Sequence, residues 1–131
     1  MEIREVTAAI IHDRGRILIC RRASDDECGS LWEFPGGKRE EGESLEECII
    51  REIKEEIEAD IKIERVFATS IYHFGSREVH FTVFNAVITG GRIKLNVHDA
   101  CRWVSINELH DYEFMPPDVD FVKKLIDSMI E

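Results

Sequence analysis

The chain has 131 residues, enough for one domain with a proper hydrophobic core, and we expect a single domain over residues 1–131. Hydrophobic residues make up 44% and charged residues 34%, which is typical of a globular protein in water, and the apolar runs are too short to cross a bilayer. The net charge of −10 argues against a surface for a nucleic-acid polymer, since that surface needs a basic patch.

The first residues and the cysteines bear on location. The start, MEIREVTAAII, carries acids and lacks the layout of a signal peptide, so we expect a cytoplasmic protein. Four cysteines show neither a CxxC pair nor zinc spacing, and reduced thiols are expected without a secretion signal. They are Cys20, Cys28, Cys48 and Cys101.

Two short apolar runs open the chain and predict a β-hairpin. Residues 6–11 read as a buried strand, Asp13-Arg14-Gly15 as a turn, and residues 16–20 as the second strand. Arg21 and Arg22 end that strand, where they either serve as solvated edge charges or reach a ligand. A polar loop over residues 23–30 follows.

A glycine turn leads into a helix. Gly36-Gly37 after Pro35 marks the turn, because glycine reaches backbone angles that other residues avoid. The run Ser44-Leu45-Glu46-Glu47 fits a capping box and predicts that a helix begins here. Apolar residues then recur every four positions and predict a buried stripe: Leu45, Ile49, Ile53 and Ile57.

Three acids lie beside that stripe. Glu52, Glu55 and Glu56 fall within an arc of roughly 100° around the helix. Like charges this close destabilise a helix, and a hard divalent cation among them would relieve the repulsion. For the cluster taken by itself, a solvated acidic face is the alternative.

The segment after the helix predicts strands at residues 61–71, 78–89, 93–97 and 101–104, with Trp103 buried. Ser105 is expected to cap a short helix through His110, and Pro116-Pro117 to interrupt the chain. Asp118 is then expected to begin a last helix with five inward residues: Val119, Val122, Leu125, Ile126 and Met129. This order of strands and helices predicts an α/β fold.

In the segment around the helix, five residues separate Gly37 from Glu43, and seven more separate Glu43 from the run REIKEE over residues 51–56. This pattern resembles the signature of the Nudix hydrolases. Every charged position matches, and the one departure is Glu58, where the family usually has glycine. The run LWEFPGGK and the PPD segment are similar to the branch that contains MutT and the CTP pyrophosphohydrolases. The resemblance covers nearly the whole chain and implies a mixed β-sheet sandwiched between α-helices.

The resemblance also implies roles for residues. A Mg²⁺ or Mn²⁺ ion would be held by the three acids and the Gly36 carbonyl, with Glu43 supporting catalysis and Arg51 orienting a carboxylate. Phosphates would meet Arg22 and Lys38. The base would meet Phe34, Phe74 and Asp118, although Phe74 could equally be a packing residue. For Trp32, a core position is favoured.

Asp118 has two possible roles: it either caps the last helix or recognises the base by hydrogen bonding. An ionised aspartate only accepts hydrogen bonds, so it suits CTP, dCTP or 8-oxo-dGTP and disfavours thymine and uracil.

The branch often carries a glutamate directly before a histidine in the loop ahead of the Trp103 strand, where this chain has Val97 before His98. The general base would then be Glu52, with Asp99 as the alternative.

The implied reaction is hydrolysis of a nucleoside triphosphate to monophosphate and pyrophosphate, a nucleotide-pool sanitation activity. The expected partner is a small nucleotide, and the protein is expected to be a monomer or homodimer. ADP-ribose hydrolysis and non-catalytic nucleotide sensing are the rival functions.

Overall fold

Strand β1 lies at the centre of a mixed β-sheet that carries the rest of the molecule. The computed structural model describes residues 2–24 and 29–128. The described residues form seven strands, two α-helices and one 3-10 helix: β1 (Glu2–Asp13), β2 (Arg16–Arg22), β3 (Trp32–Glu33), β4 (Gly36–Lys38), α1 (Leu45–Ile57), β5 (Ala59–Phe74), β6 (Arg77–Gly91), β7 (His98–Ser105), the 3-10 helix (Ile106–Asp111) and α2 (Pro116–Asp127).

The sheet runs in the order β3-β2-β1-β6-β5, with β4 paired to β1 and β7 paired to β2. The pair β1–β6 is parallel, and the other strand pairs are antiparallel. Helix α1 packs on one face and α2 on the other, since each contributes to a different core cluster. The predicted α/β fold with a mixed sheet between helices is therefore confirmed.

Helix α1 begins where the capping box predicts. Its Ser44 N–H donates to Glu47 Oε1 at 2.8 Å, and the Glu47 N–H donates to Ser44 Oγ at 3.0 Å. The apolar stripe behind it is fully buried at Ile49, Ile53 and Ile57. Burial of each such side chain stabilises the fold by about 1.5–3 kcal/mol, so the stripe fixes which way the acids on this helix point.

Helix α1 ends at a left-handed residue, which is where the family favours glycine. Glu58 adopts φ 57° and ψ 33°, and its N–H donates to the Lys54 carbonyl. Asn96 Nδ2 donates to the Glu58 carboxylate at 3.1 Å and to the Glu55 carbonyl at 2.8 Å. A non-glycine residue in this conformation costs about 1–2 kcal/mol, and the contacts with Asn96 offset part of it.

Two local predictions are wrong. Residues 93–97 form no strand; Lys94 and Asn96 instead donate backbone hydrogen bonds to the carbonyls of Ile57 and Glu56 at the end of α1. The two prolines begin α2 rather than interrupting the chain, because a proline in the first turn lacks only an N–H that would stay unpaired there.

The inward face of α2 also differs from the predicted one. Val119 is 51% exposed, while Phe121, Val122 and Leu125 are buried and Ile126 is partly buried. The inward face is therefore centred on Asp118, Phe121, Val122 and Leu125, and the prediction was wrong in placing Val119 inward and in omitting Phe121. Met129 lies outside the described residues, and Trp103 is half-buried rather than buried.

Cys20, Cys48 and Cys101 are free thiols, and the first two are fully buried; Cys28 lies outside the described residues. No helix in the described part of the chain is long and apolar enough to span a bilayer.

Candidate active site

Arg51 on α1 connects the acids at the centre of the site. Its Nε and Nη2 donate to the two carboxylate oxygens of Glu43 at 3.0 and 2.7 Å. Nη1 donates to Glu52 at 2.8 Å and to Glu55 at 3.1 Å, and Nη2 also reaches the Lys38 carbonyl at 3.0 Å. The hydrogen bond from Arg51 lowers the pKa of Glu43 to about 2, helped by the Glu40 backbone N–H. Arg51 thus ties the turn before the helix to the acidic face of the helix.

The carboxylates of Glu52 and Glu56 contact the backbone of β4. The Gly36 N–H donates to Glu56 Oε1 at 3.2 Å. A Cβ at Gly37 would collide with the Glu52 carboxylate, and one at Gly36 would collide with the backbone of Thr7 and Ala8 on β1. The glycine pair is therefore required because both of its faces are in close contact.

The charge on these acids fits a divalent cation. Burial, followed by the neighbouring carboxylates of Glu33 and Glu52, raises the pKa of Glu56 to about 8. Within residues 2–24 and 29–128, no three His, Cys, Asp or Glu side chains converge closely enough to hold a metal ion by themselves. Glu52, Glu55 and Glu56 therefore do not converge as one ligand set in the free protein. Mg²⁺ is commonly bound by one or two carboxylates and completes its shell with water and phosphate oxygens, and Glu52 and Glu56 are the two acids that could supply them. Glu55 is 59% exposed at its side chain and pairs with Arg51.

A cavity of about 450 Å³ has the glycine pair in its lining. Both predicted phosphate residues, Arg22 and Lys38, line it. So do the three predicted base residues: Phe34, Phe74 and Asp118. Glu56 and Glu52 contact Gly36 and Gly37 respectively. The two acids therefore lie next to the residues that line the cavity.

The two aromatic residues differ in exposure. Phe34 is 3% exposed and packs on Phe114, with ring centroids 5.6 Å apart. Phe74 is 49% exposed and lies beside Tyr72, with ring centroids 4.6 Å apart and ring planes inclined by 53°. Trp32 is buried in the core, as expected. Phe74 is thus a partly exposed ring that lines the cavity, whereas Phe34 belongs mainly to the core.

Asp118 is a buried acid in the wall of the cavity. It occupies the first turn of α2, but the helix cap is Met115, which accepts the Asp118 N–H at 2.9 Å. Its carboxylate instead accepts a hydrogen bond from the Phe34 backbone N–H. Burial, and then the charge of Glu33, raises the pKa of Asp118 to about 8. Burial therefore favours the protonated form of Asp118 at neutral pH in the free protein.

Glu33 and His98 form a pair that the sequence did not reveal. His98 Nε2 lies 2.8 Å from Glu33 Oε2, and Arg22 Nη1 donates to Glu33 Oε1 at 3.0 Å. Glu33 lies on β3 and His98 on β7, and both strands pair with β2, which brings the two residues together. Spacing along the chain does not indicate that β3 and β7 share this neighbour. Arg4 and Arg77 also line the cavity without having been singled out.

The structure does not bring Asp99 to the cavity. Its carboxylate pairs with Arg21 at 2.7 Å on the outer side of the sheet, and Val97 is 54% exposed. Glu52 lies against the glycine pair, so of the two candidate bases only Glu52 is next to the cavity wall.

Comparisons with known proteins agree with this geometry. The NUDIX domain family matches residues 1–125. The CTP pyrophosphohydrolase of Escherichia coli is 30% identical over 123 residues, covering 94% of this chain and 91% of that protein. The 8-oxo-dGTP diphosphatase of Escherichia coli is 28% identical over 122 residues, covering 92% and 95%.

Solved structures give the same result. The solution structure of the E. coli ORF135 protein superposes with a TM-score of 0.86 at 28% identity, covering 98% of this chain and 92% of that one. The MutT protein of Methanosarcina mazei superposes with a TM-score of 0.84 at 24% identity, which supports the fold. The chain therefore belongs to the NUDIX domain family and is a Nudix hydrolase of the branch that contains MutT and the CTP pyrophosphohydrolases.

Proposed function

We propose that the protein is a Mg²⁺-dependent pyrophosphohydrolase of nucleoside triphosphates, with Mn²⁺ as an alternative ion. It releases the monophosphate and pyrophosphate, and it favours CTP or dCTP, or the oxidised nucleotide 8-oxo-dGTP. The observation that carries the proposal is one cavity that Asp118, Arg22 and Lys38 all line, with Glu52 and Glu56 in contact with the glycines of its lining. Such a cavity can hold the base against Asp118 and the phosphates against the basic residues.

Each residue then has a task. Arg22 and Lys38 bind phosphate oxygens, and Phe74 stacks on the base. Glu52, Glu55, Glu56 and the Gly36 carbonyl are the proposed ligands of the ion, which when bound screens the phosphate charge and activates water. Glu52 takes the proton of the attacking water, while Arg51 holds Glu52 and Glu43 in place.

Base preference follows from hydrogen-bond matching at the ionised form of Asp118, the form that a donor group of the base stabilises. The cytosine amino group and the N1–H and amino group of guanine are donors, which a carboxylate oxygen accepts. Thymine and uracil present a carbonyl at the position of the cytosine amino group, and two facing acceptors are costly. The proposed setting is the cytoplasm and the proposed role is sanitation of the nucleotide pool.

The test is pyrophosphate release from CTP, dCTP, 5-methyl-dCTP, 8-oxo-dGTP, dTTP, UTP and ADP-ribose with Mg²⁺ and with Mn²⁺. We expect the amino-bearing triphosphates to have the highest kcat/KM. Preferred cleavage of ADP-ribose would replace the triphosphate proposal. Metal-dependent binding of the same nucleotides without turnover would instead identify a nucleotide-sensing protein.

A further inference from the structure

Glu33, at the end of β3, joins two basic side chains in one hydrogen-bonded row. One carboxylate oxygen faces His98 Nε2 at 2.8 Å, and the other accepts from Arg22 Nη1 at 3.0 Å. The side chains of His98, Glu33 and Arg22 are 2%, 17% and 29% exposed, so the row runs from the interior to the cavity. An arginine held in this way has lost much of its rotational freedom.

A β-bulge places His98 in this row. The pairing of β2 with β7 steps from Arg21 opposite Ala100 to Arg22 opposite His98, which leaves Asp99 as the extra residue. Asp99 turns outward to Arg21, and His98 turns inward to Glu33. In an unbulged strand Asp99 would lie opposite Arg22. The bulge therefore decides which of the two side chains reaches Glu33.

The carboxylate of Glu33 identifies one ring nitrogen of His98 that carries a proton. A carboxylate only accepts hydrogen bonds, so the contact at 2.8 Å places a proton on Nε2, which donates to Glu33. Nδ1, the other ring nitrogen, is buried and has no hydrogen-bond partner among the described residues.

We propose that His98 is a positioning residue that holds Arg22 through Glu33, so that the guanidinium is in place before the substrate phosphates arrive. This inference rests on the proposed role of Arg22 in phosphate binding. Because the arrangement exists in the free protein, binding does not have to order Arg22, and the gain is in affinity rather than in the chemical step.

The test compares two substitutions of His98, using the best substrate of the nucleotide panel. His98→Gln keeps an N–H donor near the position of Nε2, whereas the shorter His98→Asn does not reach Glu33. For His98→Asn we expect KM to rise about tenfold, as for the loss of one hydrogen bond to a charged group, with kcat nearly unchanged. His98→Gln should stay close to wild type. The matched control is His110→Gln, which changes an exposed histidine of the 3-10 helix.

A double-mutant cycle tests whether His98 acts through Arg22. Once Arg22→Ala has raised KM, adding His98→Asn should raise it no further; independent, multiplying effects would overturn the inference. If Arg22→Ala raises KM but His98→Asn does not, the inference fails and the phosphate role of Arg22 stands. If Arg22→Ala leaves KM unchanged, both the positioning role of His98 and the proposed phosphate role of Arg22 fail.

A measurement without turnover checks the tautomer. In metal-free wild-type protein, ¹⁵N NMR of His98 should show a proton on Nε2, the nitrogen that faces Glu33. A proton on Nδ1 alone would overturn the inference. This experiment also tests the hydrogen bond from His98 to Glu33 if the His98→Asn variant does not fold.

Discussion

The carboxylate of Asp118 accepts a hydrogen bond from the backbone N–H of Phe34, which joins the first turn of α2 to the strand segment that precedes the glycine pair. This contact places an acid from the end of the chain in the wall of the cavity. It also means that the carboxylate is not occupied in capping its own helix, since the cap is Met115.

Base selectivity should depend on pH through Asp118. Its pKa is raised to about 8, so the carboxyl is mostly protonated below that pH and can donate to the uracil carbonyl. Above pH 8 it is ionised, accepts only, and disfavours UTP. We therefore expect the ratio of kcat/KM for CTP over UTP to increase as pH rises through about 8. In Asp118→Asn the ratio should be flat, and a ratio independent of pH in the wild type would contradict the assignment.

Replacing either half-buried acid of α1, Glu52 or Glu56, by its amide should abolish most activity. Glu52→Gln and Glu56→Gln are each expected to lower kcat by about 100-fold or more, because one removes the proposed base and both remove a proposed metal ligand. Steady-state pyrophosphate release checks the effect, and circular dichroism checks the fold. Glu46→Gln, on the exposed first turn of the same helix, is the matched control. Near-normal turnover in a folded Glu52 or Glu56 variant would rule out the proposed metal site on α1.

The Arg51 side chain should not be replaceable by lysine. Lysine cannot reproduce the two-point contact with Glu43 while also reaching Glu52. The acids would shift, and kcat/KM should fall ten- to hundredfold, the loss typical of a misplaced catalytic group. Lys54→Ala, which breaks only the exposed pair with Asp60, should have no such effect. Equal activity of Arg51→Lys and wild type would show that the contacts of Arg51 are dispensable.

The left-handed helix end gives a prediction about stability. Glu58→Gly and Glu58→Ala both lose the contact between the carboxylate and Asn96, but only the glycine variant removes the steric strain. The free energy of unfolding, measured by urea denaturation, should be higher for the glycine variant than for the alanine variant by about 1 kcal/mol. An alanine variant as stable as the glycine one would show that this position carries no strain.

Local patterns predicted the elements whose signals are contained within a few residues. The capping box at Ser44 and the turn at Gly15 lie where expected, because each depends on hydrogen bonds or backbone angles within one turn. The start of α2 was missed because a proline pair is compatible with both a break and a first helical turn.

Contacts between distant strands could not be read from the chain. The Glu33–His98 pair depends on a bulge in β7 and spans 65 residues, and nothing at either position signals the other. The raised pKa of Asp118 depends on its burial beside Glu33, which is again a property of the packed molecule. Motif residues could thus be located from the sequence, but their protonation and their partners could not.

The glycine pair has a consequence for how enzymes of this design can diversify. Gly36 and Gly37 line the cavity and contact Glu56 and Glu52, so the acids and the cavity share a piece of backbone that carries no side chain. Asp118, Phe74 and Arg77 line the same cavity from other elements of the fold. Substitutions at these three positions are expected to change which nucleotide is accepted while the shared backbone stays the same, so substrate range and hydrolytic chemistry can evolve as two separable traits.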